Sequence, residues 1–189
     1  MKIKQFQIID NQAYQVEQDD NVNVVLCFGS KQLLNDQNVI SDISTAFPKA
    51  NIAYCSTAGE IYDDQVMDNS ISAVAIQFDH TQVLSNSISI DQYSDSFDAG
   101  KNLVSRFDTK DLRYIFVLSD GSKVNGSELV KGMNEVIDDH IPITGGLAGD
   151  GPHFQNTLVG LNEPPTSGKI LALAFYGDKI KVSHSSMGG

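Results

Sequence analysis

Apolar positions along the chain fall into short β-branched runs separated by stretches with helical spacing. VNVVLCF (22–28) is a continuous apolar run closed by Gly29 and Ser30, the pattern of a strand buried on both faces and ending in a loop. Val39, Ile40, Ile43 and Phe47 then recur at helical spacing, and Pro48 ends the helix by pushing the preceding residue out of the helical region. NIAYC (51–55) is the next strand and leads into STAGEI. ISAVAIQF (71–78) and VLSNSISI (83–90), with DHTQ between them, predict a β-hairpin.

The same succession returns further along. Phe97, Leu103, Val104 and Phe107 mark a helix, and RYIFVLSDG (113–121) a buried strand running into a polar loop. Asn125 with Glu128 has the spacing of a capping box, and Leu129, Val130, Met133, Val136 and Ile137 supply the apolar face of the helix behind it. IPIT (141–144), NTLVGL (156–161), KILALAFYG (169–177) and KIKVSHS (179–185) complete the predicted strands. Three pairs of segments match in the same order: GS at 29–30 and 121–122, AGE at 58–60 and AGD at 148–150, and AVAIQFDHTQV (73–83) with ALAFYGDKIKV (172–182). The expectation is an α/β fold, a mixed β-sheet with packed helices built from an internal pseudo-twofold repeat with halves near 1–92 and 93–189.

At 189 residues the chain suits one globular unit, and its net charge of -11 disfavours nucleic acid and anionic membranes as partners. Residues 1–95 hold 4 basic and 13 acidic side chains, residues 96–189 hold 9 and 11, so the acidity is concentrated in the first half. Only Cys27 and Cys55 occur, without CxxC spacing, which fits a reducing cytoplasm. The longest apolar run, ILALAFY, is too short to span a membrane.

Loops at the carboxyl ends of parallel strands line the usual ligand crevice of such sheets. Four qualify: Gly29–Gln32, Ser56–Ile61, Ser119–Ser122 and Gly145–Gly151. Their glycines allow close approach of backbone to ligand, successive amides can receive a carboxylate, and Glu60, Asp120 and Asp150 can receive an ammonium. That combination suits a zwitterion such as an amino acid. The duller alternative is that the glycines only turn the chain and the aspartates only cap neighbouring amides. GGLAGDG lacks a P-loop lysine and GxGxxG order, and it leads into Pro152, His153 and Phe154, not into a helix. A hydrolase using Cys55, Ser56 or Thr57 would need a base that no spacing identifies. His80, His140, His153 and His184 show no metal-ligand spacing; His153, with Phe154, stands beside the glycine loop, and His184 with Met187 has the composition of a haem-ligand pair at nonspecific spacing.

CSTAGEI (55–61), VLSDGS (117–122), ITGGLAGDG (143–151) and LALAFYGDKIKV (171–182) together resemble the amino-terminal part of FIST domain proteins, over residues 22–189. The resemblance implies a cytoplasmic, non-enzymatic sensory domain that binds a small ligand, an amino acid or related metabolite, and signals to a partner such as a histidine kinase or a cyclic-di-GMP enzyme. It also implies a carboxyl-terminal FIST part in longer members, and in some similar proteins a bound haem that reports nitric oxide. Ser56, Thr57, Ala58, Gly59 and Glu60 match its first motif, and Gly145, Gly146, Leu147, Ala148, Gly149 and Asp150 its second. With Ser119, Asp120, Gly121, His153 and Phe154 from the neighbouring loops, these are the candidate ligand-binding residues; no catalytic or metal residue is assigned.

Overall fold

Continuous apolar strands need cover on both faces, and a computed structural model, which describes residues 1–153 and 155–185, shows how it is supplied. In chain order the elements are β1 (Lys2–Ile9), β2 (Val24–Gly29), α1 (Lys31–Leu34), α2 (Gln37–Ala46), β3 (Asn51–Ser56), β4 (Glu60–Tyr62), β5 (Gln65–Met67), β6 (Ser70–Gln77) and β7 (Gln82–Ser89). After a 3-10 turn at Ile90–Gln92 come α3 (Ser96–Val104), β8 (Leu112–Ser119), α4 (Gly126–Asn134), β9 (Ile143–Leu147), β10 (Val159–Leu161) and β11 (Lys169–Tyr176). The fold is α/β with mixed strands, but it carries two main sheets where one was expected. One has the order β1-β6-β2-β3-β10, the other β7-β11-β8-β9, and β4 and β5 form a separate small hairpin.

Three apolar clusters give the layering. Leu33, Leu34, Ile40 and Ile43 from α1 and α2 cover one face of the first sheet, packing on Val25, Cys27, Ile52 and Tyr54. Ala99, Leu103, Leu129 and Met133 from α3 and α4 cover the second sheet through Ile115, Val117, Ile170 and Ala172. Between the sheets, Val24, Ala53 and Cys55 meet Leu118, Leu171, Leu173 and Phe175. Helices thus lie outside and the sheets face one another, so β2, β3, β8 and β11 have no solvent face. Truncating a side chain as deeply held as Leu103 or Ile115 to alanine costs about 2–5 kcal/mol.

Two expected pairings do not form. Segments 71–78 and 83–90 are not a hairpin: β6 pairs with β1 and β2 in one sheet, and β7 pairs with β11 in the other. The chain crosses between sheets where a turn was expected. KIKVSHS forms no strand, although Ile180 packs against the layer between the sheets. Within each sheet a parallel pair, β2·β3 or β8·β9, is flanked by an antiparallel neighbour, β6 or β11. Strand membership does not divide at residue 92: β7 belongs to the second sheet, and β10 returns to the first to pair antiparallel with β3. The helix caps are those the residue types require. Asp36, Asp95 and Asn125 accept the amides of Asn38, Asp98 and Glu128. The capping box is half formed, because Glu128 turns to Lys131 and the Asn125 amide donates to Ser96 Oγ instead.

Candidate functional site

Parallel strands β2 and β3 end side by side at Gly29 and Ser56, and the loops beyond them meet the connection that runs from β9 to β10. Ser56 is the fastening. Its fully buried hydroxyl donates to the Gly149 carbonyl at 2.7 Å and accepts from the Leu158 amide at 2.9 Å, while the Gly149 amide donates to the Ser56 carbonyl at 2.8 Å. Next to it the Ala148 amide donates to the Ser119 carbonyl at 2.8 Å. A Cβ on Gly149 would lie 3.0 Å from the Ala58 nitrogen and 3.1 Å from the Thr57 carbonyl carbon, so the STAGE and GGLAGD segments touch backbone to backbone only because residue 149 is glycine.

Beside this seam lies a cleft of about 400 Å³. Its walls are Ser30, Lys31 and Gln32 after β2, Thr57, Ala58, Gly59 and Glu60 after β3, Asp68 and Asn69 after β5, and Asp150–His153 from the far loop. Asp150 is buried, and its carboxylate is held on both oxygens: Oδ1 is paired with the Lys31 ammonium, and Oδ2 accepts the amides of Gln155 and Asn156 at 2.9 and 3.0 Å. Lys31 Nζ also donates to Asn156, to Oδ1 at 2.7 Å and to the carbonyl at 3.2 Å. The Lys31 ammonium and then, against the opposing effect of burial, the two amides pull the Asp150 carboxyl down to about 2.

Glu60 is different. It is 3% exposed, Oε1 accepts from Thr57 Oγ1 at 2.7 Å, and Oε2 accepts from the amide and hydroxyl of Ser70 at 3.3 and 3.0 Å. No cation among the described residues pairs with it. The neighbouring amides of Ala58 and Gly59 also make no hydrogen bond among the described residues. One wall of the cleft therefore contains two backbone amides without a hydrogen-bond partner and a carboxylate without a cation.

Of the candidate residues, Thr57, Ala58, Gly59, Glu60, Asp150 and His153 line this cleft. Ser56, Ala148 and Gly149 form the seam behind it. Ser119, Asp120 and Gly121 adjoin the seam at Ala148 and do not line the cleft. The buried Asp120 carboxylate accepts from the amides of Ser122, Lys123 and Gly168 and the hydroxyls of Ser122 and Ser167, and the Gly121 amide donates to Thr157 Oγ1. Burial opposes ionisation of Asp120, and these donors, with the Gly168 and Lys123 amides foremost, overcome it and bring the carboxyl to about 2. Gly145, Gly146 and Leu147 belong to β9, not to a loop, and line a separate apolar groove. Phe154 and Met187 lie outside the described residues.

Lys31 is the charged side chain of the cleft that sequence reasoning passes over. The loop Gly29–Gln32 was singled out, but a single lysine in no motif gave no reason to pair it with a carboxylate more than a hundred residues away. Asp68 and Asn69 carry no mark in the sequence either. Cys55 lies in the layer between the sheets, where burial pushes its thiol up to about 12. Thr57 is the candidate nucleophile with a carboxylate partner: its Oγ1 donates to Glu60 Oε1, while Ser70 occupies Oε2. The four histidines are dispersed: His153 in the cleft, His184 in the β9 groove, His80 in a third depression and His140 beside Asp138. No helix among the described residues is long and apolar enough to cross a membrane.

Comparison with known proteins adds one match. The family model described as the FIST N domain covers residues 23–189. No curated protein matches the chain.

Proposed function

Because the chain belongs to the FIST N domain family, a family of small-ligand sensory domains in signal-transduction proteins, we propose that the cleft beside the Ser56–Gly149 seam is the sensory site and that its ligand is an amino acid or closely related zwitterion. The observation that carries this reading is Glu60, a buried carboxylate without a cation, next to the free amides of Ala58 and Gly59. A buried unpaired carboxylate is costly, and a ligand ammonium would offset that cost. The free amides would receive the ligand carboxylate, as backbone donors do in anion-binding nests. Lys31 and Asp150 neutralise one another and hold the far wall in place.

The test is a thermal-shift panel of amino acids, the corresponding amines without a carboxylate, and the acids without an amine. A ligand present at about 100 times its Kd adds about 2.7 kcal/mol of stability, or about 5–10 °C for a chain of this size. Glu60→Gln should weaken that ligand by about tenfold or more. A panel in which no amino acid shifts Tm, or in which Glu60→Gln leaves the shift unchanged, would sink the proposal.

Haem binding is supported at a different place. The polar walls of the cleft do not fit a porphyrin, whereas the β9 groove, about 590 Å³ and lined by Phe116, Leu129, Val130 and Leu147, is apolar and has His184 at its edge. There His184 would be the ligand. Titration of the purified protein with haemin, read as a Soret shift, tests that reading separately. A histidine kinase or cyclic-di-GMP enzyme as receiver of the signal is carried by the family resemblance alone.

A further inference from the structure

The β4–β5 hairpin presents two large apolar side chains to solvent. Ile61 is 68% exposed and Val66 74% exposed, and they are direct cross-strand partners, so they stand side by side on one face. Scattered exposed apolar residues need no explanation, but these two form a pair on an element too short to be stable alone. The hairpin is fixed to the body through its other face and its backbone. Glu60 is bonded to Thr57 and Ser70, Ser72 Oγ donates to the Ile61 carbonyl at 2.8 Å, and Gln7 reaches Met67. The apolar pair is therefore held outward by the structure.

Around the pair stand Asp63 and Asp64 in the turn and Asp68 just past β5, all exposed and none in an ion pair among the described residues. They belong to the half of the chain with 4 basic against 13 acidic residues. This charge pattern repels a second copy of the chain, an anionic membrane and nucleic acid alike. It complements a segment that sets an apolar pair among cations. Cross-strand Cβ atoms lie about 4.5–5.5 Å apart, close to the ~5–6 Å between positions i and i+4 of a helix, so successive apolar residues along one helix stripe match Ile61 and Val66.

We propose that the β4–β5 hairpin is a docking surface for a basic amphipathic helix of a partner protein, with Ile61 and Val66 as its apolar contact and Asp63, Asp64 and Asp68 as its charged rim. Because β4 starts at Glu60, the surface is continuous with the wall of the cleft. The docking itself does not rest on the ligand reading, and neither outcome below depends on a ligand being present.

Fluorescence anisotropy with a labelled peptide of about 18 leucines and lysines at amphipathic helical spacing tests it on the full chain. Controls are the same residues in shuffled order and a version with glutamate for lysine. Binding should weaken about tenfold in Ile61→Ser/Val66→Ser. It should also weaken in Asp63→Asn/Asp64→Asn/Asp68→Asn, with a shallower salt dependence. Both variants change exposed side chains, so their Tm should stay within about 2 °C of the parent. Equal binding of the shuffled peptide, or binding within about twofold of the parent in both variants, overturns the proposal. So does concentration-dependent self-association that the Ile61→Ser/Val66→Ser change abolishes, since the occupant would then be a second copy.

Discussion

Lys31→Met removes the cation paired with Asp150 among the described residues and provides a quantitative test of how the cleft is built. In the folded protein the Asp150 side chain is 2% exposed and the Lys31 side chain 27% exposed, and they connect the start of α1 to the loop before β10. Two unit charges ~4 Å apart attract by about 4 kcal/mol at an effective dielectric of ~20. The exposure of Lys31 screens part of this, leaving a coupling of about 1–3 kcal/mol. Lys31→Met alone should cost about 2–4 kcal/mol, because Oδ1 of Asp150 is left buried and unpaired. Asp150→Asn alone should cost about 1–3 kcal/mol, since its amide oxygen still accepts from Gln155 and Asn156. The double variant should then be more stable than the sum of the singles by the coupling energy. Urea unfolding with an unchanged slope m measures all four proteins. The pH dependence has a defined sign. The folded carboxyl is depressed from 3.8 to about 2, so its contribution is complete above about pH 4 and is lost as pH falls toward about 2. Lys31→Met should shrink that acid-limb loss. Additive single changes, with coupling below about 0.3 kcal/mol, would refute the ion pair as the strut of the cleft.

Ser56→Ala should cost about 2–4 kcal/mol, because it leaves the half-buried Gly149 carbonyl and the buried Leu158 amide without partners; faster hydrogen exchange at the Leu158 amide is the local readout. Gly149→Ala should cost about 1–3 kcal/mol, since the new Cβ meets the backbone of Thr57 and Ala58. Gly146→Ala, where nothing lies within 4 Å, should stay within about 0.5 kcal/mol of the parent. Urea unfolding ranks the pair, and the reverse order would show that the seam does not depend on backbone contact.

The buried strands were legible because burial on both faces leaves its mark in consecutive residues, as in VVLCFG and KILALAFY. Which sheet a strand joins was not. ISAVAIQ and QVLSNSIS alternate in the same way whether they pair with one another or with β2 and β11, whose sequence positions are remote. β1 went unmarked because KIKQFQII has an exposed polar face at the sheet edge, and its core contacts come mainly from Phe6 and Ile8. Behind the predicted strand IPIT, GGL (145–147) reads as loop on its glycines. It is strand because β9 needs no side chain at Gly145, where a Cβ would strike the Val117 carbonyl. In the cleft, the STAGE loop was readable from its position after a strand. The pairing of Asp150 was not, because a lone lysine carries no spacing that points to it.

That pairing changes what a signal through this domain would have to do. The expectation that Glu60 and Asp150 can each receive an ammonium gives way to an asymmetric site, with Asp150 saturated by Lys31 and two amides and Glu60 held only by neutral donors. A ligand shifts a conformational equilibrium only through differential affinity for its states. The polar group of the cleft with most to gain from a cation is Glu60, and it begins the hairpin that carries Ile61 and Val66. Asp150 anchors the connection that crosses from the second sheet to the first. A ligand contacting Glu60 would therefore act on the hairpin against a wall fixed by Lys31 and Asp150. Weakening that wall with Lys31→Met should reduce any coupling between ligand and hairpin more than it reduces ligand binding itself.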